Sequence, residues 1–381
     1  MTGGSRPKRP LLRRKSTLVV LALLSVAFLG FALSGSEPPP PPPPRGSGKF
    51  MQAVVYRQYG PPDVLRLERT EQWLPEDHQV LIKVRAASAN PLDWHYMRGT
   101  PYLMRMDTGW RAPKSPRLGA DMAGVVVEVG KDVTRFKPGD EVFGTGGGTF
   151  AEYVRSSESK VVRKPAGLTF EQAAAIPVAA LTALQGLRDK GHLHAGQKVL
   201  INGASGGVGT FAVQIAKALG AEVTGVCSTR NLELVRSLGA DHVVDYTSED
   251  VTQGAERYDV ILDNVGTQPL LDFRRVMKPD GIFVIVGGGG PNDGKLIGPM
   301  ARPLQGLLLA PFVSQQFVML LADINDKDLQ FISDLIVARK LTPVIDRTYT
   351  LSEVPAAIRY LEEGHARGKV IITVAADDHA S

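Results

Sequence analysis

Seven residues, Gly203-Ala204-Ser205-Gly206-Gly207-Val208-Gly209, carry the clearest chemical signal in this sequence. They follow an apolar stretch, Lys198–Asn202, that reads as a strand. They lead into a segment whose Val208, Phe211, Ala212, Ile215 and Leu219 fall on one helical face. Strand, glycine-rich turn and helix in that order make a phosphate site. Glycine at 206 lets the backbone approach a pyrophosphate, and glycine at 209 lets the helix close on the strand. The helix N-terminus then presents free N–H groups and the positive end of its dipole. Ala204 stands where the first glycine of such turns usually lies. About 20 residues further on, an NAD site usually has an acid for the ribose diol. Here that stretch reads Cys227-Ser228-Thr229-Arg230-Asn231, with no acid. Ser228 and Arg230 suit a 2′-phosphate instead, which predicts NADPH as the preferred cofactor. Another glycine run, 287–290, follows an apolar strand where a parallel sheet has its ligand cleft, so it is expected to meet the nicotinamide.

Two textures of chain position these residues. From 51 to 176 the sequence gives short β-branched runs at 52–56, 80–86 and 125–129. The turn Pro138-Gly139-Asp140 leads into another at 141–143. This predicts an antiparallel, barrel-like domain. From 177 to 320, strands at 198–202, 222–227, 242–244, 259–262 and 282–286 alternate with helices at 207–219 and 231–238, the pattern of a doubly wound parallel sheet. Residues 321–376 return to mixed texture, with helices at 329–338 and 353–363 and strands at 344–349 and 369–374. The fold class is therefore α/β.

Composition sets the outer limits. Of 381 residues, 43% are hydrophobic and 22% charged, a globular balance. The net charge of +5 comes from the leader: residues 1–50 hold eight Lys/Arg and one acid, leaving the rest slightly acidic. Nucleic-acid binding is not expected of such a body. Residues 1–17 are basic, 18–34 are apolar and suit a signal anchor or a signal peptide, and 35–50 are a linker containing seven consecutive prolines. The anchor is the preferred reading, which implies membrane attachment. Translation from Met51 would instead give a cytoplasmic protein. The single Cys227 excludes disulfides, and the seven histidines are scattered, so no metal site is expected.

Beyond the turn, further motifs carry a resemblance: Ala89-Asn90-Pro91-Leu92-Asp93, Gly119-Ala120-Asp121-Met122-Ala123-Gly124, the stretch 136–142, Ala180-Leu181-Thr182-Ala183 and Gly368-Lys369-Val370. With the turn, they make residues 51–374 resemble the zinc-independent, quinone oxidoreductase-like branch of the medium-chain dehydrogenase/reductase superfamily. The resemblance implies a GroES-like catalytic barrel and an inserted Rossmann domain, with the chain then returning to the barrel. It also implies a homodimer. Zinc-dependent members have Gly-His-Glu where this chain has Gly119-Ala120-Asp121, so the histidine ligand is gone.

The resemblance assigns Asn90 to hydrogen bonding of cofactor or substrate oxygen, with Asp93 behind it. His95 stands near the place of a tyrosine in many relatives and is the candidate proton donor. Thr182, Tyr246, Asn264, Val265, Val286, Gly287, Gly288 and Lys369 match cofactor contacts, beside Ala204 to Gly209, Ser228 and Arg230. Without a metal to polarise a carbonyl, a quinone is the expected hydride acceptor. An enal or enone double-bond reductase uses the same chemistry. A nicotinamide-binding protein with a structural or regulatory role is the alternative of another class.

Overall fold

The computed structural model describes residues 46–287, 290, 298, 301–309 and 313–374. The chain divides into residues 1–42 and a compact unit of residues 43–381, and every described residue belongs to the second. The apolar segment at 18–34 and most of the linker lie outside the described residues. Among the described residues, no helix is long and apolar enough to cross a membrane.

The first half is strand-rich. Strands β1 (Gly46–Val55) and β2 (Arg66–Trp73) form an antiparallel pair. A seven-stranded sheet takes in β3 (Gln79–Ala89), β4 (Asp121–Val129), β5 (Glu141–Thr145), β6 (Tyr153–Ser157) and β7 (Val161–Arg163), with two more strands from the end of the chain. Strand β3 pairs with both β4 and β6, and its register shifts beside Leu81 and Val84 bend it between them. One helix, α1 (Pro91–Arg98), leaves the end of β3.

Helix α2 (Pro177–Gln185) opens the second half and is buried on all sides. The sheet behind it contains β8 (Lys198–Asn202), β9 (Glu222–Cys227), β10 (His242–Asp245), β11 (Tyr258–Asp263), β12 (Met277–Ile285) and β13 (Gln316–Met319). Its order is β10-β9-β8-β11-β12-β13, every pair parallel. This is the Rossmann order, with its switch point between β8 and β11, where ligands bind outside the carboxyl ends of the strands. Helix α3 (Gly207–Ala218) follows β8 and packs on α2. Helices α4 (Leu232–Ser237) and α5 (Ala301–Leu309) follow β9 and β12.

Helix α6 (Asp326–Val337) packs on α2, and Leu329 and Ile332 enter the core that α2 and α3 share. The chain then rejoins the first sheet through β14 (Ile345–Thr350), α7 (Val354–Glu362) and β15 (Lys369–Thr373). Strand β15 pairs with β3. This return places the start of β15 against the end of β3 and the turn after β8.

Candidate functional site

The turn after β8 is shaped by its glycines. Gly203 has φ +78°, a left-handed conformation that suits glycine, and a Cβ there would come 2.6 Å from Val265 Cγ2. The N–H groups of Gly203 and Ala204 donate to the Val226 carbonyl, at 3.1 and 2.9 Å. A Cβ on Gly209 would collide with the Gly203 carbonyl oxygen, so glycine lets α3 close on the strand. Ala204 is fully buried and its backbone is not left-handed, so alanine fits where a glycine usually stands.

Gly206 has room for a Cβ, whereas Gly207 lies against the stem of Lys369. A Cβ on Gly206 meets nothing nearer than the Gly203 oxygen at 3.5 Å, and one on Gly207 meets Lys369 Cδ at 3.3 Å. No side chain caps α3, so the amides of Gly207, Val208 and Gly209 have no acceptor within the helix. Open backbone at an uncapped helix N-terminus fits a pyrophosphate. Ser205 accepts a hydrogen bond from Asn231 Nδ2 at 3.0 Å.

Beyond β9, an open recess of about 300 Å³ is lined by Ser228, Thr229, Arg230, Tyr246 and His365. Arg230 Nη2 donates to the His365 carbonyl at 2.8 Å, which ties the recess to the segment before β15. Asp245, at the end of β10, accepts hydrogen bonds from Thr229 and Thr247, which hold its carboxyl below the usual range. The recess thus presents Arg230 without Asp245 in its lining.

The end of β3 and the start of β15 meet in a buried polar network. Lys369 Nζ donates to Asn90 Oδ1 at 2.6 Å and lies 3.3 Å from Asp121 Oδ2. Asn90 Nδ2 donates to the same Asp121 oxygen at 2.9 Å and to the Ser88 carbonyl at 3.3 Å. Ser88 Oγ adds a third donor to that oxygen, while Asp121 Oδ1 accepts the Val178 N–H at 2.9 Å. Asn90, Asp93, Asp121 and Lys369 are each at most 3% exposed. Such burial is tolerable because each group has partners. Asn90 is also the N-cap of α1, and Asp93 Oδ2 accepts its N–H at 2.7 Å. Burial, followed in rank by that hydrogen bond acting the other way, leaves the Asp93 carboxyl pushed up to about 7.

His95 sits apart from this network. Its Nδ1 lies 2.7 Å from the Thr100 carbonyl, and its ring stacks on Trp94 with centroids 3.6 Å apart. Burial lowers its pKa, so the ring is neutral near pH 7 and its one N–H is committed to Thr100. The neighbouring Tyr96 is half-buried, and burial raises the pKa of its phenol, with Asp107 and Asp93 adding to the rise.

The remaining candidates divide. Thr182 lies one turn along α2 from Val178 and donates to its carbonyl at 2.6 Å. Asn264 Nδ2 donates to the Asn202 carbonyl at 2.9 Å, which sets Asn264 and Val265 beside the turn. The N–H groups of Val286 and Gly287 both reach the Asp263 carbonyl. Gly288 lies outside the described residues. Sequence reasoning notes Asp121 only as the neighbour of Ala120, where the histidine ligand is missing, and misses it as a partner. A charge opening an apolar strand is the available signal. It also misses Arg302, whose Nη2 pairs with the buried Asp263 at 3.0 Å. Among the described residues, no group of three or more His, Cys, Asp or Glu is placed to hold a metal ion.

Comparison with known proteins gives the same frame. Residues 76–166 match the alcohol dehydrogenase GroES-like domain, and residues 238–372 match a family described as zinc-binding dehydrogenase. The mitochondrial NAD(P)H oxidoreductase RTN4IP1 of Mus musculus is 38% identical, over 85% of this chain and 89% of its own. The 2-methylene-furan-3-one reductase of Solanum lycopersicum is 34% identical, over 84% and 79%. The solved quinone oxidoreductase of Coxiella burnetii superposes with a TM-score of 0.76 at 32% identity, over 86% of this chain and all of its own. The chain belongs to the medium-chain dehydrogenase/reductase superfamily, in its quinone oxidoreductase-like branch, and is an oxidoreductase.

Proposed function

We propose that the protein transfers hydride from NADPH to a quinone-type acceptor without a metal ion. The observation that carries this reading is the contact between two halves of the site. The open phosphate turn at Gly207 abuts the stem of Lys369, whose ammonium reaches Asn90. The dihydronicotinamide supplies the hydride. The residues of this chain hold the cofactor, align the acceptor and exclude water. An electrophilic quinone needs little more than that alignment and a proton. Both amide hydrogens of Asn90 are engaged by Asp121 and Ser88, so Asn90 acts through its oxygen and its fixed orientation.

Metal independence is supported by donor chemistry. Ala120 stands where zinc-dependent relatives have histidine. The sole thiol, Cys227, is buried in β9 with its pKa pushed up to about 11, mainly by burial. A bound zinc needs about three protein ligands.

The test is NADPH oxidation by the purified protein with a 1,4-benzoquinone, with a chelator present. Acceptor-dependent turnover that the chelator leaves intact is expected. Loss of turnover on chelation would overturn the metal-free reading. Product analysis decides the second reading, which the furanone reductase relative favours: a saturated carbonyl from an enone, at a higher kcat/KM than any quinone, would replace the quinone assignment.

Two substitutions probe individual residues. Arg230→Ala should raise KM for NADPH by roughly 10-fold or more, the scale of one charge-assisted hydrogen bond, and leave KM for NADH unchanged. Equal effects on both cofactors would remove the 2′-phosphate assignment. His95→Ala should reduce kcat by less than about 5-fold, because its ring N–H is already engaged. A general acid contributes roughly 100-fold or more, so a loss of that size would identify His95 as the proton donor.

A further inference from the structure

Lys369 lies between the Asp121 carboxylate and the phosphate turn. Its ammonium has three hydrogens, and Asn90 Oδ1 and Asp121 Oδ2 engage two of them. Its stem runs along the phosphate turn, where a Cβ on Gly207 would lie 3.3 Å from Lys369 Cδ. Two single bonds separate that carbon from the nitrogen. The Cδ thus lies beside the first residue of α3 while the ammonium is held at Asn90 and Asp121. The Asp121 carboxylate is fully buried and accepts from Ser88 Oγ, Asn90 Nδ2, Lys369 Nζ and the Val178 N–H, donors on three separate stretches of chain.

We propose that Asp121 is a positioning residue: its carboxylate tethers the Lys369 ammonium to Asn90 and keeps that charge off the pyrophosphate of a bound dinucleotide. This rests on the reading of 203–209 as a dinucleotide turn. The tether gives up cofactor affinity, which would be the same in ground and transition states. In return it holds a positive charge beside Asn90, where an acceptor is reduced. Lys369 is thus a cation of the reaction end of the site, although its stem touches the phosphate end.

The test is a fluorescence titration of the purified full-length protein with NADPH at fixed ionic strength. Asp121→Asn removes the tether and frees the ammonium for the pyrophosphate, so Kd should fall by roughly 3- to 10-fold. Lys369→Met should leave Kd within about 3-fold of the unsubstituted protein, and Asp121→Asn combined with Lys369→Met should return Kd to that range. A merely structural Asp121 would loosen binding when replaced, and the second substitution would not reverse the change. The doubly substituted protein, which leaves neither buried charge unpaired, decides the matter even where a single variant fails to fold. A rise in its Kd beyond about 3-fold means that Lys369 already grips the pyrophosphate, and the tether is overturned. Failure of the unsubstituted protein to bind NADPH or NADH overturns the dinucleotide reading itself, and the tether with it.

Discussion

Gly206→Ala is expected to lower NADPH affinity by about 100-fold while leaving the melting temperature nearly unchanged, and Gly209→Ala to unfold the turn first. The two glycines lie three residues apart in one motif, yet they answer to different neighbours. Gly206 has φ −81°, which any residue adopts, and a Cβ there would make only an ordinary contact, 3.5 Å from the Gly203 oxygen. A methyl group there strains nothing in the protein. It occupies the place where a pyrophosphate meets the first amides of α3, and two charge-assisted hydrogen bonds lost at that point give about that factor. At Gly209 the same methyl collides with the Gly203 oxygen and the Ala204 backbone. Overpacking of this kind costs about 1–3 kcal/mol or more, a fall in melting temperature of about 1–4 °C or greater for a chain of this length. Thermal melts and NADPH titrations of both variants check the split. A Gly206→Ala protein that binds NADPH normally would show that no phosphate approaches that backbone.

Part of this division of labour is legible in the sequence itself, as is the frame that holds the turn. The reading of strands 198–202 and 222–227 matches the observed β8 and β9 because central parallel strands are buried on both faces and read as unbroken apolar runs. Strand β2, with the sequence RLERTEQW, pairs only with β1 and keeps most of its side chains in solvent, so it shows no apolar period. Helix α1 is hidden in a strand-rich stretch. Its signals are nonetheless present: Asn90 at the cap, Pro91 at the first helical position and Asp93 two residues later. Helix α2 is hidden for the opposite reason, since an element apolar all round has no polar face to set a period.

The site is less legible than the fold because its central pair is remote in sequence. Asp121 and Lys369 are 248 residues apart, and only the return of the chain through β14 and β15 brings them together. Taken singly, one is the neighbour of a lost histidine ligand and the other a cation for the cofactor. Burial makes them a unit. A carboxylate or an ammonium withdrawn this far from water needs an opposite charge and full hydrogen bonding, so each requires the other.

Asp93, beside that pair, should make the stability of the protein fall as pH rises from about 4 to about 7. Burial raises its carboxyl most, and the Asp121 carboxylate adds to the rise. The N–H groups of Asn90 and Gly119 and the Lys369 ammonium oppose it, and the outcome is a pKa of about 7. The unfolded value is about 3.9. Between these values the folded protein holds a proton that the unfolded chain has released. Stability therefore declines with rising pH across that window and levels off above it. A shift of about three pH units amounts to about 4 kcal/mol, of which about 3 kcal/mol falls between pH 5 and pH 8. Asp93→Asn keeps a side-chain oxygen for the Asn90 N–H and does not titrate. Urea unfolding of both proteins across that range should show the variant gaining on the parent by about 3 kcal/mol as pH rises, because other titrating groups largely cancel in the difference. A difference that stays flat with pH would mean that Asp93 is ionised throughout, with Lys369 and the two amides outweighing burial. The expected slope instead leaves the carboxyl close to half-protonated at neutral pH, at the cap that orients Asn90. Turnover should then carry an ionisation near pH 7 that Asp93→Asn removes.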